Sequence, residues 1–240
     1  MGVTRIAIID GTGDFFDSDY EAAMRMSFCS QLGNAFGRSV YQRGPSSDGL
    51  TVREKAETAA AQLMSGIFSC NPDDRFFLSG YSRGGSAALM AAEILRMRGF
   101  PVSGLLLFDP VKKHPWDTPA GIPANVENSY TFVRDVTPAL VRKYAGTISD
   151  GRFVPRSLGE WVDNPIRPGW TENVTPPSGA NPSKHRLVKI GASHGALGGV
   201  GWKHVTEDQF AQGFVAQATN LVLGEWGLQV NLHQGSFSEA

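Results

Sequence analysis

Two cysteines, Cys29 and Cys70, are all the thiols in this 240-residue chain. That is too few for a zinc site or a disulfide framework; the one bridge on offer is Cys29 with Cys70, and a reducing compartment is the expectation. Basic runs are also missing, and the formal net charge is −1. The cation density that neutralises phosphates is therefore absent, and no nucleic-acid partner is expected. The opening apolar stretch, in MGVTRIAIID, is too short for a signal peptide or a membrane span, and no cleavage-site pattern follows it. The expectation is a protein with no transmembrane segment that is cytoplasmic or exported without a signal peptide. No internal repeat is visible.

What the chain does have is alternation. Short apolar, β-branched runs take turns with helical patterns, which predicts an α/β protein with a mostly parallel central sheet and helices on both faces. Strands are predicted at 4–9 (TRIAII), 39–42 (SVYQ), 75–79 (RFFLS), 103–108 (SGLLLF), 129–134 (SYTFVR) and 186–190 (RLVKI). From Val52 to Ile67 the residues Val52, Ala56, Ala59, Ala60, Leu63, Met64 and Ile67 fall on one helical stripe. Helices are also expected over Ser86 to Met97, rich in strong helix formers, and over Glu207 to Leu223. Two stretches break the pattern, 110–128 and 147–184, the second with six prolines and with Trp161 and Trp170 among Gly, Ser and Asn. A loop of that length inside a compact domain is usually functional. The whole of 1–240 reads as one domain, in which 147–184, with Trp116 and Phe153, is either a lid that caps a site and lines an apolar pocket or a loop whose aromatics fill gaps in the core.

One junction carries chemistry. In RFFLSGYSRGGSAALMAAEIL, residues 75–95, a strand runs into a helix through Gly80, Tyr81, Ser82, Arg83 and Gly84. A strand that turns abruptly into a helix strains the residue at the turn, and its neighbours must be glycine because a Cβ there would collide. The middle serine is left exposed at the sheet's carboxyl edge, beside the positive end of the next helix. This is the G-x-S-x-G nucleophile elbow of α/β-hydrolases. The pattern alone is weak, as a second copy shows: GASHG at Gly191 to Gly195 follows a strand, but ALGGVGW after it is too rich in glycine to open a regular helix easily. Ser82 has both flanking elements and Ser193 has one.

An alcohol attacks only when a base takes its proton and a third group holds that base, in the chain order Ser, acid, His. Of the five histidines, His194 directly follows a late apolar strand in a Gly-rich loop; His114, His185, His204 and His233 lack that placement. Asp109 and Asp135 each end a predicted strand, and spacing does not separate them as the acid. The oxyanion of an acyl-transfer intermediate needs backbone donors. The N–H of Arg83, next after the serine, is one, and the loop Gly11, Thr12, Gly13 that ends the first strand fits the other. The string IAIIDGTGD resembles the D-x-D-G-T opening of haloacid dehalogenase phosphatases, but Ile8 stands where their nucleophilic aspartate belongs. GTGDFF matches neither nucleotide-binding glycine pattern.

Taken in order, IIDGTGD, YQRGP, GYSRGGS, LLLFDPV, GRFVP and GASHGALGG resemble the α/β-hydrolase family that includes the first class of type VI secretion lipase effectors, bacterial phospholipases and related serine hydrolases. The resemblance spans most of the chain. It implies a triad of Ser82, Asp109 and His194, with Asp109 rather than Asp135 at the family's acid position. Two places depart from the family pattern: Ala196 replaces an aspartate two residues after the histidine, and Gly85 replaces alanine in the elbow. The function expected is hydrolysis of a small-molecule or lipid carboxylic ester through an acyl-enzyme, a chemistry that calls for no metal and no cofactor. A peptidase, thioesterase or acyltransferase on the same scaffold, or a catalytically silent relative that binds through the cleft, are the alternatives.

Overall fold

The computed structural model describes residues 2–12, 17–46, 50–66, 71, 73–111, 119–134, 174–190, 192, 194–200 and 206–234. Their strands are β1 (Thr4–Ile9), β2 (Tyr41–Gln42), β3 (Arg75–Tyr81), β4 (Gly104–Phe108), β5 (Ser129–Arg134) and β6 (His185–Ile190). They form one sheet in the order β2-β1-β3-β4-β5-β6, with every neighbouring pair parallel. The helices are α1 (Asp17–Met24), α2 (Phe28–Phe36), α3 (Val52–Met64), α4 (Arg83–Met97), α5 (His194–Gly198) and α6 (Thr206–Glu225).

Burial on both faces explains why the central strands read as continuous apolar runs. Side chains alternate across the sheet. Ile8, Phe77, Leu106, Phe108, Tyr130 and Phe132 pack with residues of α2, α5 and α6. Ala7, Ile9, Phe76, Leu78, Leu105 and Leu107 face residues of α3 and α4. On α3 the buried residues are Val52, Ala56, Ala59, Ala60 and Leu63, the expected stripe, while Ile67 lies outside the described residues. No helix among the described residues is long and apolar enough to cross a membrane.

Several boundaries differ from expectation. Of the strand predicted at 39–42 only Tyr41 and Gln42 pair, as an edge against Ile8 and Ile9, while Arg38–Val40 turn as a 3-10 helix. The helix expected from Ser86 begins at Arg83, directly after the serine. A one-turn helix also begins at His194, where glycines argued against one. Packing outweighs their low propensity: a Cβ on Gly198 would stand 2.3 Å from the Tyr81 ring, so only glycine lets this turn sit there. Helices α1 and α2 were not expected at all. The signal for α2 was present, since Phe28, Cys29 and Leu32 share a buried face and the Ser27 hydroxyl caps the helix by accepting from the Ser30 N–H at 2.9 Å. Of the suggested cap, 147–173 lies outside the described residues. Residues 174–184 run along the body of the protein, where the Thr175 carbonyl accepts from the Ile122 N–H and Val174 packs on the core.

Register decides what meets at the carboxyl edge. Ile9 is paired with Gly80, Tyr81 with Phe108, Phe108 with Phe132, and Arg134 with Ile190. The first residues past these pairings therefore gather along one rim. The strand order reverses between β1 and β3, which is where open α/β sheets place their ligands.

Candidate active site

Ser82 stands at that reversal, one residue past β3. Its φ of 56° and ψ of −127° are unusual for a side chain with a Cβ. Among the described residues only one other non-glycine has positive φ, Asp109 at 39°. Strain of this kind costs on the order of 1–3 kcal/mol per residue and collects at functional positions. Here it is held by backbone hydrogen bonds: the Ser82 N–H donates to the Phe108 carbonyl at 3.0 Å, and the Ser82 carbonyl accepts from the Val111 N–H at 2.9 Å. The same bonds staple the elbow to the loop carrying Asp109. The flanking glycines are required by contact as well. A Cβ on Gly80 would lie 2.4 Å from the Gly84 carbonyl oxygen, and one on Gly84 2.1 Å from that of Asp10.

The structure brings Ser82, His194 and Asp109 into one hydrogen-bonded line. Ser82 Oγ is 2.9 Å from His194 Nε2, and His194 Nδ1 is 2.7 Å from Asp109 Oδ2. All three side chains are buried, Ser82 among them: the exposed hydroxyl that the sequence predicts is instead covered, with the His194 ring against it. Asp135, the other acid considered, and Ser193 both lie outside the described residues, as do His114 and His204. His185 begins β6, at the opposite end of the sheet, where its Nδ1 meets the Ser129 hydroxyl; the His233 N–H donates to Gln31 beside α2.

Two further residues shape this line, and neither stood out in the sequence. Tyr81, next before the serine, stacks on the His194 ring with centroids 4.8 Å apart, and its hydroxyl donates to the His194 carbonyl at 3.2 Å. Arg134, the last residue of β5, forms an ion pair through Nε with Asp109 Oδ2, and its N–H donates to Oδ1 at 3.2 Å. Burial pushes the Asp109 carboxyl up, but the Arg134 guanidinium, the hydrogen bond and charge of His194 and the Arg134 N–H together hold it below its ordinary 3.8. Asp109 is thus kept as an anion beside His194.

The loop after β1 approaches from the other side. Arg83 Nη1 donates to Thr12 Oγ1 at 2.9 Å, which ties the start of α4 to that loop. The Gly11 N–H, expected to face an oxyanion, donates instead to Asp10 Oδ1 at 2.7 Å. A buried carboxylate so close captures the nearest donor, and the Gly11 N–H is engaged by it; Gly13 lies outside the described residues. Asp10 Oδ2 accepts from the Ser27 and Tyr41 hydroxyls, and the Tyr20 hydroxyl bridges the Gly11 carbonyl and the Gly44 N–H. Ile8, at the place of the phosphatase nucleophile, is fully buried in the core. Cys29 is a free, buried thiol whose ionisation burial disfavours. Among the described residues, no three His, Cys, Asp or Glu side chains gather to hold a metal ion.

Asp10 gives the site a measurable pH signature. Burial pushes its carboxyl up to about 6, against the hydrogen bonds of Ser27, Gly11 and Tyr41 and the charge of Arg38. An unfolded chain titrates this group near 3.8. Between those values the folded state holds the proton more tightly, so this group's contribution to stability declines as pH rises from about 4 to about 6, by up to about 3 kcal/mol. Asp10→Asn has no such titration. The Tm of the variant minus that of wild type should therefore rise by about 6–12 °C between pH 4 and pH 7. Thermal denaturation across that range checks it, and a constant difference refutes it.

By fold and site the molecule is an α/β protein with a parallel six-stranded sheet and a buried Ser, His, Asp line at its carboxyl edge. Compared with known proteins, the chain matches no family model and no curated sequence.

Proposed function

We propose that this protein is a serine hydrolase of the α/β-hydrolase type that cleaves carboxylic esters through an acyl-enzyme. The observation that carries the reading is the unbroken line from Ser82 Oγ to His194 Nε2 and from His194 Nδ1 to Asp109 Oδ2, at 2.9 and 2.7 Å. Its chain order, serine then aspartate then histidine, is that of the hydrolase fold. The motif resemblance to the family of the type VI lipase effectors supports the same class.

In this reading Ser82 Oγ attacks the ester carbonyl carbon while its proton passes to His194 Nε2. The carbonyl oxygen becomes an oxyanion, held by the Arg83 N–H and by the Thr12 N–H in place of Gly11. Collapse breaks the bond to the alcohol, whose oxygen takes the proton from His194. Water then gives a proton to His194 and attacks the acyl-Ser82 ester; the acid departs and the proton returns to Ser82. Asp109 keeps Nδ1 protonated and steadies the transient imidazolium.

A fluorophosphonate probe tests the assignment directly. It should add to one residue, Ser82, as read by mass spectrometry of the digested protein, and simple aryl esters should compete for labelling. Labelling at Ser193, or none at all, would remove the basis of the reading.

A further inference from the structure

We propose that Arg134 is the positioning residue of the acid and base pair: it clamps the Asp109 carboxylate in the plane that faces His194 and, by its charge, limits how readily His194 takes up a proton. This rests on the serine-hydrolase reading above and adds a member to its machinery.

The clamp has two arms from one residue. The Arg134 N–H donates to Asp109 Oδ1 at 3.2 Å, and its guanidinium pairs with Oδ2. With Oδ1 hydrogen-bonded and Oδ2 held by the guanidinium's charge, rotation of the carboxylate about its last bond is opposed, and Oδ2 lies 2.7 Å from His194 Nδ1. Register makes this arrangement unavoidable. Phe108 is paired with Phe132, and the Asp109 N–H continues the ladder to the Phe132 carbonyl at 2.8 Å, so residue 134 rises beside the aspartate.

The charge has a separate effect. In the Ser-His-Asp arrangement a lone carboxylate stabilises the imidazolium. Here the same oxygen also meets a guanidinium, with side chains 13% and 3% exposed, so water screens the pair little. An imidazolium at residue 194 therefore faces a carboxylate already largely neutralised. Among the described residues, the charges acting on Asp109 are those of Arg134 on β5 and His194 on α5; Ser82 and Tyr81, which also face the imidazole, bring neutral hydroxyls.

The test is the pH profile of kcat/KM on an activated aryl ester for wild type, Arg134→Gln and Arg134→Lys. In Arg134→Gln the acid-side midpoint should move up by about one pH unit and the plateau fall about tenfold. Arg134→Lys keeps a positive charge but not the Nε contact with Oδ2, so its midpoint should match wild type while its plateau drops. A residue that only supported the fold would lower the plateau and leave the midpoint alone in both variants; an unmoved midpoint in Arg134→Gln overturns the charge effect. Should Arg134→Gln not fold, Arg134→Met takes its place under the same criteria, an unmoved midpoint overturning the charge effect, while Arg134→Lys tests the clamp: a wild-type plateau there overturns it. A wild-type protein that neither hydrolyses esters nor takes the fluorophosphonate label refutes the parent reading instead, which separates the two failures.

Discussion

Ester turnover by Ser82→Ala should fall by about six orders of magnitude, with the fold intact. The size follows from what the hydroxyl does. It supplies the attacking oxygen, and the rest of the line, His194 and Asp109, has nothing to activate once it is gone. Residual catalysis of about 10³ to 10⁴ over water is expected from oxyanion donors and substrate binding, so the variant should be slow rather than silent. Stability should hardly change. Alanine has the same Cβ as serine, so the backbone at φ 56° is no more strained than before, and among the described residues the one side-chain bond lost is that to His194. Steady-state turnover of a p-nitrophenyl ester by both purified proteins, with matching circular dichroism and Tm, is the measurement. Equal turnover would show that another group does the chemistry.

Asp109→Asn should cost about four orders of magnitude in kcat, because an amide at Oδ2's place favours the imidazole tautomer with Nε2 protonated, which cannot take the serine's proton. Unlike the serine change, this one should also weaken the fold. It leaves the buried guanidinium of Arg134 without its carboxylate, and breaking a buried ion pair from one side typically costs about 3–5 kcal/mol. The pH dependence has a definite sign. Asp109 in the folded protein titrates below its ordinary 3.8, so its contribution to stability is fully present above that value and is lost as pH falls through the lower folded one. The stability gap between wild type and Asp109→Asn should therefore close in acid. That trend is opposite to the one expected from Asp10, whose carboxyl is pushed up to about 6. Chemical denaturation of wild type and both aspartate variants between pH 3 and pH 7 would separate the two carboxylates.

Some of the site could be read locally. The elbow is a local object: the apolar run before Gly80, the helix formers after Gly84 and the glycines between them all act within a few residues, and the structure shows the collisions that those glycines avoid. His194 was singled out because a strand precedes it. Asp109 and Asp135 were left tied by spacing, since each follows a strand and nothing nearby distinguishes them. Geometry places Asp109 at His194 Nδ1. Arg134 has no local signal, since an arginine at a strand end is ordinary; it matters only because β5 lies beside β4 in this register. Tyr81 was visible in the motif, but its stacking on His194 spans 113 positions of sequence. The Gly11 N–H went to Asp10, a competition between neighbours that depends on how deeply the carboxylate is buried.

By itself, then, the order of side chains determined the α/β alternation, most strand positions and the strained serine, because backbone sterics and hydrophobic period act over a turn or a strand. Only the tertiary structure decided which strand ends are neighbours, and with them that Asp109 meets His194, that Arg134 lies behind it and that Asp10 takes the Gly11 N–H. Those choices follow from strand order and register, which are set by burying two faces of one sheet at once and leave no mark in any single stretch of the chain.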